Sequence, residues 1–274
     1  LAFIYPGAFS LLKSSIPFLL GLVMFFMGLT LNFSEIKKTI KKPQWVSLAV
    51  FLQFTIMPLT AFFLINFFQL PDELALGVII LGCCPGGTAS NVITFLCDGN
   101  IALSIISTFF STLISVFLTP ILIFFISSHE IDIDIFALMK SSFLIVFFPV
   151  ISGLILKNLI LRRIKKNLLP KISETLIALI IGIIFALNIE EVHQLSIWLF
   201  VCILFHNLIG LTAGYFIGNY FNFPEKEKKT IAIEVGMQNS GLGMALSLLH
   251  FSKVVALPSA IFSLWHNISA VGLV

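Results

Sequence analysis

The sequence predicts an all-α polytopic membrane protein with about ten spans. Hydrophobic residues make up 58% of its 274 residues and charged residues 11%. The mean hydropathy is +1.09, more apolar surface than a soluble domain of this length can bury. The apolar runs are continuous rather than alternating, which disfavours a β-barrel. The charges gather between the runs, where water can solvate them.

In chain order, Leu1–Tyr5 reads as the end of a first span and Ile16–Leu31 as the second. Trp45–Phe68 is the third, with Trp45 as an interfacial anchor. Glu73–Cys97 is the fourth, interrupted at Pro85-Gly86-Gly87 because proline lacks an amide donor and glycine a side chain. Ile101–Ile126, Ile135–Leu156, Ile172–Ile189 and Leu195–Phe221 follow, the last carrying Trp198 near its start. Lys229–Phe251 is the ninth span, broken near Gly236, and the tenth starts at Leu257. Pro120 and Pro149 read as kinks, and the His206-Asn207 pair as structural. The chain opens at Leu1 and stops within Ala270 to Val274, both apolar, so the terminal spans are expected to be incomplete.

The loop charges test this count. Lys37, Lys38, Lys41 and Lys42 precede the third span; Lys157, Arg162, Arg163, Lys165, Lys166 and Lys171 precede the seventh; Lys226, Lys228 and Lys229 precede the ninth. The intervening loops carry Asp72 and Glu73, then Glu130, Asp132 and Asp134, then Glu190 and Glu191. Such alternation is what the positive-inside rule requires, with the basic loops cytoplasmic and the protein in the cell inner membrane. Lys13 and Lys253 are exceptions. The net charge of +3 is spread over loops and implies no nucleic-acid partner. Cys83, Cys84, Cys97 and Cys202 lie in apolar context and read as small buried residues, without zinc-site spacing.

Glu234 reads as the one carboxylate at membrane depth, where a charge costs roughly 2.5–3.5 kcal/mol on insertion scales. A bound cation or a proton is the partner expected there. Gln238, Asn239 and Ser240 beside Gly236 and Gly241 supply oxygen donors in a broken helix. The fourth span repeats the plan. Pro71-Asp72-Glu73 precedes Gly82-Cys83-Cys84-Pro85-Gly86-Gly87-Thr88-Ala89-Ser90-Asn91, as Pro224-Glu225 precedes Gly236-Met237-Gln238-Asn239-Ser240-Gly241. The following spans add Ser104, Ser107 and Thr108 in one half and His266, Asn267 and Ser269 in the other. A segment that recurs an odd number of spans later has opposite orientation, which is the inverted repeat of secondary transporters. The expected units are 1–127 and 128–274. Ser104 and Thr108, at i and i+4, share a helix face.

The run from Gly82 to Asn91, with Glu234-Val235-Gly236-Met237-Gln238-Asn239-Ser240-Gly241, closely resembles the bile acid:sodium symporter family, particularly its bacterial members. Trp265-His266-Asn267-Ile268-Ser269 and Gln53-Phe54-Thr55-Ile56-Met57-Pro58 extend the likeness over essentially the whole chain. The resemblance implies two inverted five-helix repeats. Spans 1, 2, 6 and 7 would form a panel; spans 3–5 and 8–10 would form a core in which spans 4 and 9 cross. It implies two sodium ions, one held by Ser90, Asn91, Ser104, Thr108 and Glu234. The other would be held by Gln53, Glu234, Gln238 and the backbone carbonyls of Val235 and Met237. It implies substrate contacts from Thr88, Asn239, His266 and Asn267. The function implied is sodium-coupled import of an organic anion, either bile-acid-like or a small carboxylate such as pantoate. No obligatory protein partner is implied.

A proton-coupled carrier or an efflux permease is the competing reading, with Glu234 as the proton site. An intramembrane enzyme is disfavoured, because paired aspartates at depth and a His-Glu-x-x-His motif are missing. Primary ATP-driven transport is disfavoured by the lack of a Walker loop.

Overall fold

A computed structural model describes residues 2, 4–31, 43–127, 133–162 and 168–271. Leu1 and Phe3 of the expected first span, and Lys37, Lys38, Lys41, Lys42, Glu130, Asp132, Arg163, Lys165 and Lys166 of the expected loops, lie outside the described residues. Among the described residues the structure is helical, without strands. Helices α1 (Pro6–Ser10), α2 (Ile16–Thr30), α3 (Pro43–Phe68), α4 (Asp72–Gly82), α5 (Ser90–Leu96) and α6 (Ile101–Ile126) come first. They are followed by α7 (Ile135–Ile160), then α8 (Leu169–Leu187), α9 (Ile189–Val192), α10 (Ile197–Tyr220), α11 (Glu225–Gly236), α12 (Ser240–His250) and α13 (Leu257–Val271).

Among the described residues, six segments are long and apolar enough to cross a membrane: Lys13–Thr30, Pro43–Phe68, Ile101–Ile126, Ile135–Ile160, Leu169–Leu187 and Ile197–Tyr220. The helix expected at Ile101–Ile126 has those bounds. The segments expected to be the fourth and ninth spans are pairs of half-helices, α4 with α5 and α11 with α12, each half too short to cross a membrane alone. Helix α7 is continuous, with a π turn at Phe143–Phe147 just before Pro149. Tyr5 is not helical. The first helix begins instead at Pro6, where a proline's missing amide hydrogen leaves no bond unmade.

Glu234 is not the sole carboxylate inside a helix of an interrupted or apolar span. Glu174 lies in α8 and is exposed. Glu227 lies in the first turn of α11, 9% exposed, and accepts a 2.9 Å hydrogen bond from Asn100 Nδ2. Glu174 falls within the expected span Ile172–Ile189, while Glu227 precedes the expected start at Lys229 because its helix begins at Glu225.

Small residues let helices approach closely. Along α10, Gly210 and Gly214 face α11. A Cβ on Gly214 would meet Ala232 Cα at 2.7 Å and the Ile231 carbonyl oxygen at 2.8 Å. In a bilayer, where the hydrophobic effect does not pull helices together, such backbone contact is a main source of association. This packing fixes the helix that carries Glu234. Lys253, an exception to the charge alternation, is paired. Its ammonium lies 2.6 Å from Glu191 Oε1, and its carbonyl accepts from Asn188 Nδ2 at 3.0 Å.

Two outcomes are expected. Gly214→Val should lower thermal stability in detergent by about 1–3 kcal/mol, because the neighbours it meets are backbone atoms that cannot rotate away. The Lys253 hydrogen bond holds the Glu191 carboxyl below its ordinary range. A carboxyl depressed in this way stabilises the fold above its unfolded value, and that contribution is lost as pH falls through the folded value. Partial exposure limits it to about 1 kcal/mol or less. Amide exchange at residues 251–256 should therefore quicken on acidification in the parent, and the response should vanish in Lys253→Ala.

Candidate cation site at the helix crossing

The two broken spans meet at their breaks. Gly86 and Gln238 form an isolated antiparallel bridge. Gly87 N–H donates to the Met237 carbonyl at 2.8 Å, and Asn239 N–H donates to the Pro85 carbonyl at 2.8 Å. Gly87 permits this approach, because a Cβ there would lie 2.5 Å from the Gln238 carbonyl oxygen. The carbonyls left over where the helices stop are taken up by side chains. Thr119 Oγ1 donates to Cys83 O at 2.6 Å, Gln53 Nε2 to Cys84 O at 2.9 Å, and Asn207 Nδ2 to Gly236 O at 2.8 Å. Asn239 Oδ1 accepts from Leu242 N–H at 3.1 Å, capping α12.

Glu234, 3% exposed, closes the last turn of α11 beside this crossing. Ser90 Oγ donates to its Oε1. Ser104 Oγ lies 2.5 Å from the same oxygen, and Thr108 Oγ1 donates to Oε2 at 2.7 Å. Asn91 Oδ1 is 2.9 Å from Ser104 Oγ. The first residue set expected from the sequence is therefore gathered around one carboxylate, from α5, α6 and α11. The ion pairs Lys226–Asp98, Lys228–Glu225 and Lys253–Glu191 do not involve Glu234. Its charge is met by hydroxyl dipoles, which a cation could replace by turning their lone pairs inward. Each hydrogen bond to a charged group offsets about 1.5–3 kcal/mol of the burial penalty.

The second expected set is adjacent. Gln53 Nε2 donates to Gln238 Oε1 at 2.6 Å, and Gln238 Nε2 donates to the Val235 carbonyl at 3.2 Å. The Met237 carbonyl is held by Gly87 N–H.

The four expected substrate contacts divide. Thr88 and Asn267 line a cavity of about 580 Å³ that also takes in Val23, Thr30, Asn91 and Ser173. Asn239 and His266 are not among its lining residues. Asn239 is 6% exposed and spent on capping; His266 is 4% exposed and packs edge-on against Phe262, ring centroids 5.2 Å apart. Of the residues read from the sequence as structural, His206 stays so, its Nε2 at 3.2 Å from the Met57 carbonyl oxygen. Asn207 does more, since it satisfies the carbonyl at the break in α11. Its proximity to Gly210 and Gly214, which mark the α10 face against that break, was the available signal.

Replacing Asn207 by Ala should leave the Gly236 carbonyl unpaired and cost about 1–3 kcal/mol. Thermal unfolding of the purified protein measures this. Asn207→Asp, which keeps the size but presents no donor, should be at least as damaging.

A model of the sodium bile acid symporter family matches residues 17–195. The uncharacterized sodium-dependent transporter YocS of Bacillus subtilis is 44% identical over 271 residues, covering 98% of this chain and 84% of that protein. The probable chloroplast sodium/metabolite cotransporter BASS1 of Arabidopsis thaliana is 34% identical over 254 residues, and its counterpart in Oryza sativa subsp. japonica 32% over 252. Each alignment covers 91% of this chain, which spans 63% and 62% of those two plant proteins.

Proposed function

The chain belongs to the sodium bile acid symporter family, and from that premise we propose that it is a symporter importing a small organic anion with two sodium ions. It is a multi-span sodium-dependent transporter rather than an enzyme. In the finer reading, residues 1–127 and 128–274 are inverted repeats, and spans 1, 2, 6 and 7 form a panel against which a core of spans 3–5 and 8–10 rocks. Basic loops face the cytoplasm of a cell whose plasma membrane holds the protein.

The observation that carries this reading is the convergence of hydroxyls from Ser90, Ser104 and Thr108, on two helices, upon the buried Glu234 carboxylate. A proton needs the carboxylate alone; a hard monovalent cation needs several oxygens around it. The first ion is assigned to Ser90, Asn91, Ser104, Thr108 and Glu234. The second is assigned to Gln53, Glu234, Gln238 and the Val235 and Met237 carbonyls. One carboxylate shared by two ions leaves net positive charge at the crossing, which favours an anion in the cavity lined by Thr88 and Asn267. Asn239 and His266 would join the substrate only when the core moves. The substrate class is a bile-acid-like or smaller carboxylate, pantoate being the test case.

The experiment is uptake into proteoliposomes, with sodium and pH gradients varied separately. Uptake should follow sodium. Glu234→Gln and Gln53→Ala should each abolish sodium-stimulated uptake while the protein elutes as a folded species. Parental sodium-dependent uptake in Glu234→Gln would contradict the ion assignment. Uptake that follows the proton gradient alone would favour the proton-coupled carrier.

A further inference from the structure

Two residues assigned to the second ion, Gln53 and Glu234, border a gap that holds a further unpaired oxygen. A narrow gap lies between α3 and α6, bounded by Ala49, Val50, Gln53, Gly86, Ser107, Ser111 and Glu234, and it is too tight for a water-sized sphere. Two of its side chains end in oxygens without a partner: Gln53 Oε1 and Ser107 Oγ, each residue only 2% exposed. The orientation of Gln53 follows from its bonds. Cys84 O can only accept, so the amide nitrogen must point to it and the carbonyl oxygen is left over. Glu234 Oε2 reaches the same gap, 3.3 Å from where a Cβ on Gly86 would stand. Ser111 differs from Ser107, since its hydroxyl donates to the Thr108 carbonyl at 3.0 Å.

Other hydroxyls, such as those of Thr112 and Ser247, are also buried without partners. Neither lines this gap with a carboxylate and an amide oxygen. The gap gathers acceptors and lone pairs and excludes water, and a bare sodium ion is smaller than a water molecule. A proton donor would have to be a whole group, for which there is no room.

We propose that Ser107 Oγ is a ligand of the second sodium ion, completing a seat with Gln53 Oε1 and Glu234 Oε2. This rests on the sodium-coupled reading and deepens it. Helix α6 then serves both ions through adjacent hydroxyl rows, Ser104 with Thr108 for the first and Ser107 for the second. A shift of α6 at either seat would be felt at the other.

The test is thermal unfolding of the purified full chain against sodium chloride, with choline chloride holding ionic strength constant. The parent should be stabilised by sodium with a curve steeper than one ion gives. Ser107→Ala removes a hydroxyl that has no partner, so without sodium it should be as stable as the parent or more so. Its half-maximal sodium concentration should rise on the order of tenfold, and its curve should flatten to that of a single ion. Ser107→Cys, close in size but with a soft sulfur that binds sodium poorly, should show the same shift. A parental sodium curve in either folded variant would overturn the assignment of Ser107 while leaving the transporter reading intact. No sodium stabilisation in the parent itself would overturn both.

Discussion

The structure depends on a reciprocal pair of backbone hydrogen bonds where two helices break: Gly87 N–H to Met237 O, and Asn239 N–H to Pro85 O, each 2.8 Å. A helix that stops inside a bilayer exposes carbonyls and amides that lipid cannot satisfy. Two helices that stop at the same place can satisfy each other. Those two bonds lock the breaks together, and the remaining carbonyls draw Thr119, Gln53 and Asn207 inward from α6, α3 and α10. The core helices are thereby arranged around the crossing, and Glu234 is delivered to its centre on the last turn of α11.

The proposed cation site and the cavity share a residue. Asn91 Oδ1 lies 2.9 Å from Ser104 Oγ, and Asn91 Nδ2 donates to the Thr88 carbonyl at 3.2 Å. Thr88 and Asn91 both line the cavity of about 580 Å³. An ion that recruits Asn91 Oδ1 changes what Asn91 can offer on its cavity side. Binding at either place then alters the free energy of binding at the other by the same amount, the reciprocity that coupled transport requires. In the proposed function such coupling would have a short route, one side chain and one carbonyl.

Much of this was legible in the sequence for specific reasons. The helix at Ile101–Ile126 is an uninterrupted apolar run and needs only hydropathy. The breaks announce themselves by Pro85-Gly86-Gly87 and Gly236, and Glu234 by its cost. The supporting donors were less visible. Thr119 and Asn207 act on carbonyls that become free only when the helices break and cross; nothing local marks Thr119, and only the glycines on its helix face mark Asn207. Ser107 was noted as polar but not as a ligand, because its neighbours across the gap, Ala49 and Gln53, come from a different helix. The helix carrying Glu227 begins at Glu225, before the Lys229 at which the apolar run was read to start, and the helix at Pro6–Ser10 was set by a proline rather than by the apolar residues before it.

The central claim is that sodium and an organic anion favour each other's binding at one crossing. Ligand-induced thermal stabilisation of the purified protein tests it most directly, with small carboxylates and bile salts screened in sodium and in sodium-free buffer. The account expects an anion whose stabilisation appears only with sodium present. Anion stabilisation of equal size with and without sodium would contradict it.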